Sequence, residues 1–289
     1  MGQKPLFTGV CTALITPFTQ GRVDEDALRR LIRRQLDAGI PALTICGTTG
    51  ESSTLRDDEW ELTLRCAIEE ARGKAAIIAG TGTNDLRRTI TRARLAEKLQ
   101  ADAQLVVTPY YNKTTQAGLI AYYTRLASYS DLPMILYNVP GRTGLNMLPG
   151  TAARLAANSH IIGIKEASGN LGQMAELIRA SDLPVYCGSD ELNAPALQLG
   201  AQGMISVLSN LFPNEALRLF SAPKHTANAM QQAFTPLIKA LFSETNPAPV
   251  KAALSLMGLC SDEVRLPLVR VQPETLERLR RLLPREALQ

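Results

Sequence analysis

VCTALITPFTQG, residues 10–21, decides the fold. It opens as a nearly continuous apolar, β-branched run, the look of a strand covered on both faces. An open doubly wound sheet would place a glycine-rich phosphate loop directly after such a first strand, and LITPFTQG contains none. Seven more runs of this kind follow: ALTICG (42–47), AAIIAGT (75–81), QLVVTP (104–109), PMILYNVP (133–140), IIGIKEA (161–167), PVYCGSD (184–190) and GMISVLSN (203–210). Between them, stretches such as DALRRLIRRQLDAG (26–39) and DDEWELTLRCAIEEAR (57–72) carry apolar residues at helical spacing. Eight strand-then-helix units within about 220 residues predict an α/β chain, a parallel (β/α)8 TIM barrel.

Past residue 222 the alternation stops. Three helical stretches remain, TANAMQQAFTPLIKALFSE, PVKAALSLMGL and PETLERLRRLL, with no Gly/Ser linker ahead of them. The expected organisation is a catalytic-size barrel over 1–222 and a helical region, 223–289, packed on it as a three-helix appendage.

Composition narrows the functional classes. A hydrophobic content of 45% supports a sizeable core, and Lys+Arg 31 against Asp+Glu 27 leaves a charge of +4 with no basic block, which argues against a nucleic-acid partner. No apolar run reaches the roughly 20 residues of a membrane-spanning helix. The five cysteines follow no CxxC spacing and read as reduced thiols of a cytoplasmic protein. With two histidines, His160 and His225, placed apart from other ligand types, a metal centre or a Ser-His-Asp triad is not expected. Proton transfer would fall to Tyr, Thr, Lys or carboxylates.

In such barrels chemistry gathers at the C-terminal ends of the strands. There this sequence places Thr48 and Thr49, Tyr110 and Tyr111, Tyr137 and Arg142, Lys165, Ser189 and Asp190. Singly, each has an ordinary explanation: GTTG as a helix-capping turn, the Tyr pair as core with polar tips, Arg142 as a surface charge, Lys165–Glu166 as an exposed pair. Together they sit on one rim. A lysine that ends an apolar strand can lose its proton and attack a ketone, giving an iminium that acidifies the neighbouring carbon. Tyrosine and threonine hydroxyls could relay the protons, the GTTG amides could hold one carboxylate, and an arginine fork a second. The set asks for an α-keto acid and an acidic partner.

GTTGESSTL (47–55), TPYYNK (108–113), YNVPGRTG (137–144), GIKEASGN (163–170) and ETNPAPVKAAL (244–254) together resemble the dihydrodipicolinate synthase family of pyruvate-dependent class I aldolases, the group that includes N-acetylneuraminate lyase. The resemblance runs from GVCTALITPF to the C-terminal helices. It implies a Schiff base between Lys165 and pyruvate, with Tyr137 as proton donor and acceptor. Thr48 would link Tyr137 to Tyr111, which would reach into a neighbouring subunit of a tight dimer. Thr49 would hold the pyruvate carboxylate and Arg142 that of L-aspartate 4-semialdehyde, while the carbonyls of Gly188 and Ile205 would border the pocket. It further implies a homotetramer built from tight dimers, a role in lysine and diaminopimelate biosynthesis, and no cofactor or metal.

Sugar-acid and 4-hydroxy-2-oxoglutarate aldolases share the lysine and tyrosine; Arg142, two residues after the proline of YNVP, favours the synthase. A keto-acid sensor would be expected to lack part of the relay, and here the set is complete. In members inhibited by L-lysine the effector site uses positions that correspond to Ser52, Asn84 and Tyr110. The position expected to be acidic is Arg88, and expected histidines are Asp57 and Trp60. Inhibition by lysine is therefore expected to be weak or absent.

Overall fold

The computed structural model describes residues 4–288, so the outermost ends of the expected 1–222 and 223–289 regions lie outside the described residues. Strand β1 (Gly9–Ala13) leads into a short hairpin, β2 (Phe18–Thr19) and β3 (Arg22–Val23), and then α1 (Glu25–Asp37). The alternation continues with β4 (Ala42–Ile45), α2 (Asp57–Ala71), β5 (Ala76–Gly80), α3 (Leu86–Lys98), β6 (Ala103–Val107), α4 (Gln116–Ala127) and β7 (Met134–Asn138). After the short α5 (Pro140–Thr143) come α6 (Pro149–Leu155), β8 (Ile161–Glu166), α7 (Leu171–Ala180), β9 (Val185–Cys187), α8 (Asn193–Leu199), β10 (Gly203–Ser206) and α9 (Pro213–Ser221). The C-terminal helices are α10 (Lys224–Leu241), α11 (Ala248–Leu256) and α12 (Pro273–Leu282).

Eight parallel strands close in the order β1-β10-β9-β8-β7-β6-β5-β4, with β4 returning to β1. Each of the eight apolar runs supplies one barrel strand. The apolar run VCTALITPF reads as strand over 10–18, but the strand stops at Ala13 and Phe18 belongs to the hairpin. Pro17 stands in between and has no N–H to offer a ladder.

Because strand side chains alternate, the barrel has two apolar layers. Cys11, Ile78, Leu105, Ile135, Tyr137, Tyr186 and Ile205 fill the inside, whereas a larger cluster lies between strands and helices. Phe7, just ahead of β1, stacks on Tyr186 at 4.3 Å between centroids, and the Tyr186 hydroxyl donates to the Phe7 carbonyl at 3.1 Å. The N-terminal mouth of the barrel is thereby plugged. Leu237, Ile238, Leu241, Val250, Leu254 and Leu279 of the C-terminal helices join the outer cluster, in continuity with Leu208, Leu211 and Leu219. That contact brings α11 to the rim where the polar residues collect.

Candidate active site

Tyr137 and Lys165 are register partners on β7 and β8. Both are 7% exposed, and the Lys165 Nζ lies 4.5 Å from the Tyr137 ring centroid. Among the described residues Nζ has neither an ion pair nor a hydrogen bond. Glu166 cannot neutralise it, since adjacent strand residues face opposite ways. The Glu166 carboxylate accepts instead from Asn138 Nδ2 (2.9 Å), Gln173 Nε2 (3.1 Å) and the Ser168 amide (2.7 Å). An exposed Lys165–Glu166 pair is thus ruled out, because both side chains are buried and they point apart.

The neighbouring thiols do not supply a counter-charge either. Burial pushes the pKa of both Cys11 and Cys187 up to about 12, so each stays a neutral thiol at physiological pH. Space for the lysine comes from Gly188. A Cβ there would stand 2.9 Å from Lys165 Cε and 2.8 Å from Ala167 Cβ. The Ile205 side chain belongs to the same interior layer as Tyr137.

The GTTGES turn is held in a strained form. Cys46 and Glu51 adopt φ of 55° and 52°, a region that costs non-glycine residues free energy. Compensation comes from the far end of the chain. The Glu51 carboxylate accepts from Lys251 Nζ at 2.8 Å and from the Arg265 amide at 3.0 Å. Lys251 is fully buried and rests on the Phe18 ring, 4.1 Å from its centroid; burial lowers its pKa. The Arg265 fork grips both oxygens of Glu59 at 2.6 Å, and that pairing holds the Glu59 carboxyl below its ordinary range.

A cavity of about 280 Å³ opens above these groups, lined by Thr48, Ser52, Tyr110, Tyr137, Arg142 and Asn246 among others. Thr49 is buried beside it, its Oγ1 accepting from Asn246 Nδ2 at 3.0 Å, while the Asn246 carbonyl accepts from Arg142 Nη2 at 3.3 Å. Asn246 Oδ1 is buried with no partner. Asn246 therefore bridges the two residues expected to hold the two carboxylates. Sequence reasoning quoted its motif without giving it a role; the available signal was an asparagine set between Thr245 and Pro247, directly ahead of the apolar helix α11 (Ala248–Leu256).

Other expected residues separate. Tyr111 is 91% exposed with φ 69° and does not enter the cavity of its own chain. Asn84 and Arg88 lie outside the cavity lining: the Asn84 carbonyl accepts from Asn112 Nδ2 at 3.0 Å, and Arg88 pairs with exposed Asp57 at 3.4 Å. Asp190 is structural. Its Oδ2 accepts the Val207 and Leu208 amides at 2.9 and 2.8 Å, which joins the ends of β9 and β10.

A (β/α)8 barrel that keeps a buried, unpaired lysine against a tyrosine on adjacent strands is built as a class I, Schiff-base-forming lyase. The chain belongs to the dihydrodipicolinate synthetase family, whose pattern matches residues 6–286. It is 46% identical over 288 residues to 4-hydroxy-tetrahydrodipicolinate synthase of Thermotoga neapolitana, covering 96% of this chain and 98% of that one. The crystal structure of dihydrodipicolinate synthase from Thermotoga maritima superposes with a TM-score of 0.95 at 44% identity, over 98% of this chain and 99% of that chain. A structure described as the first monomeric dihydrodipicolinate synthase variant gives 0.94 at 44% identity, over 96% and 95%.

Proposed function

We propose that this protein condenses pyruvate with L-aspartate 4-semialdehyde to 4-hydroxy-tetrahydrodipicolinate, a step of lysine and diaminopimelate biosynthesis, through a Schiff base on Lys165. The observation that carries the reading is the Lys165 amine, buried and without a counter-ion against Tyr137. A neutral Nζ attacks the pyruvate ketone, the carbinolamine loses water, and the iminium gives up a methyl proton to become an enamine. The enamine carbon attacks the aldehyde. The semialdehyde's own amine then adds to the regenerated iminium carbon and expels Lys165, which closes the ring. Tyr137 carries protons at each stage and Thr48, on the same cavity, passes them outward. Thr49 and the turn amides hold the pyruvate carboxylate, Arg142 that of the semialdehyde, and the Gly188 and Ile205 carbonyls border the pocket.

Tyr111 completes the relay of a second subunit, a role supported by its exposure and its strained backbone. The assembly we infer is a tight dimer, paired into a tetramer, in the cytoplasm; among the described residues no helix is long and apolar enough to cross a membrane. Residues 1–222 act as the catalytic barrel and 223–289 as the helical region that braces its rim. Borohydride reduction with pyruvate, followed by peptide mass spectrometry, tests the chemistry: the adduct is expected on Lys165, and an unmodified Lys165 would sink it. Sedimentation velocity tests the assembly.

A further inference from the structure

The barrel wall is polar directly behind the Lys165–Tyr137 pair. Tyr137 and Lys165 face inward as register partners, and the next pair along the same two strands, Asn138 and Glu166, faces outward toward the helices. Both are sealed, at 0% and 1% exposure, in a layer otherwise built of residues such as Leu136, Ile164 and Val185. Glu166 has no ion pair among the described residues, and its contacts are with neutral donors alone, Asn138 Nδ2, Gln173 Nε2 and the Ser168 amide. Burying a carboxylate is unfavourable, and here three N–H groups offset it.

The same donors reach further. Asn138 Nδ2 also donates to Asn146 Oδ1 at 2.8 Å, Gln173 Nε2 donates to that oxygen at 3.1 Å, and Asn146 Nδ2 donates to Gln173 Oε1 at 2.7 Å. Asn138 Oδ1 accepts the Met147 amide at 2.9 Å. The chain thus leaves β7 at Asn138, carries Arg142 on α5, and is pinned back onto Asn138 at Met147.

The β7–β8 ladder is irregular. Met134 pairs with Ile161 but Ile135 with Gly163, so Ile162 is an extra residue on β8 and the register shifts there by one. A shift of one residue turns a strand's side chains to the opposite face, and without a fixed register Lys165 would leave the cavity. Between the bulge and the Tyr137–Lys165 pair stand two pairs, Ile135–Gly163 and Leu136–Ile164, and Gly163 brings no side chain. The Asn138–Glu166 bond closes the ladder on the other side, so that Tyr137 and Lys165 are held between it and the bulge.

On the Schiff-base reading of Lys165, we propose that Glu166 is a positioning residue: with Asn138 and Gln173 it locks the β7–β8 register and so holds the Lys165 amine against Tyr137. Both carboxylate oxygens act as acceptors. Glu166→Gln, equal in size, therefore has to turn an N–H toward the Ser168 amide or toward Asn138 and Gln173, and one side of the clamp opens. A displacement of about 1 Å at a reacting group costs up to about 100-fold in rate.

The test is the rate at which the full-length protein, mixed with pyruvate and quenched at intervals with borohydride, gains the reduced adduct by intact mass. At saturating pyruvate Glu166→Gln should gain it at least tenfold more slowly per folded molecule, and Gln173→Met, which leaves both strands intact, severalfold more slowly. The pyruvate concentration that gives half the maximal rate should change less than twofold in both, since Thr49 and its turn are untouched. Gln104→Met is the control. It removes a buried side chain that bonds Thr81 and the Leu132 carbonyl near the start of β6, and it should lower the melting temperature while keeping the wild-type rate. Wild-type protein that gains no adduct would remove the Lys165 reading and this inference with it. Wild-type protein that gains the adduct, with Gln173→Met at the same rate or with Glu166→Gln slowed no more than Gln104→Met, would overturn this inference alone.

Discussion

Replacing Lys251 by Met removes one half of a fully buried ion pair whose other half braces the catalytic turn. At 2.8 Å the two charges attract by about 6 kcal/mol in an effective dielectric of about 20, before desolvation is counted. Most of that is cancelled in the intact pair, but loss of one partner leaves Glu51 buried with the Arg265 amide alone, which costs about 3–5 kcal/mol. For a chain of this size that corresponds to a fall in melting temperature of roughly 10 °C, at about 2–4 °C per kcal/mol. The damage should not stop at stability. Glu51 holds its positive φ two residues after Thr49, so on the proposed reading relaxation of the turn displaces the group that holds the pyruvate carboxylate and raises KM for pyruvate more than for the semialdehyde. Calorimetric melting and steady-state kinetics with each substrate varied in turn provide the assay. Adding Glu51→Gln should recover at least half of the lost stability, since both charges are then gone. A Lys251→Met protein within about 1 kcal/mol of wild type would refute the claim that the pair braces the turn.

Three further outcomes are expected. Arg142→Ala should weaken the semialdehyde much more than pyruvate, by about 2 kcal/mol, the low end for a charge pair that becomes buried, because Arg142 is exposed in the free chain; equal losses in KM for both substrates would make Arg142 a loop-holding residue. Glu59 has a depressed folded pKa through Arg265, so its stabilisation is complete above the unfolded value near 4.5 and is lost as pH falls toward the folded one. The melting-temperature gap between wild type and Glu59→Gln should accordingly narrow below pH 4.5, and a constant gap down to pH 3 would contradict the assignment. L-lysine raised to several millimolar should leave the initial rate nearly unchanged, and a saturable fall abolished by Tyr110→Phe would show a functioning lysine site.

The strands were legible because burial on both faces leaves an unbroken apolar run, a pattern local enough to read residue by residue. Lys165 was legible for the same reason: a charge that closes such a run is conspicuous. What escaped depends on contacts between distant segments. Asn246 meets Thr49 across 197 residues and Lys251 meets Glu51 across 200, separations over which no periodicity speaks. Two arginines of α3 also take different places. Arg88 pairs with exposed Asp57, whereas Arg92, one turn on, takes a buried place together with Thr89, Ala93 and Ala96. That i, i+3, i+4, i+7 set was available in the sequence as a face of α3, had the arginine been allowed on it.

The plug of Phe7 on Tyr186 has a kinetic consequence. With the N-terminal end of the barrel stoppered, reactants and products share a single doorway, and Lys165 stands deeper along it than Arg142, which lies on α5 beyond the end of β7. Molecules in a dead-end passage must queue. On the proposed reading a keto acid held at Lys165 has to arrive before the semialdehyde that covers it, and the finished ring has to leave before the next keto acid can enter. Order of addition is then a property of the barrel's shape, independent of how tightly either substrate binds.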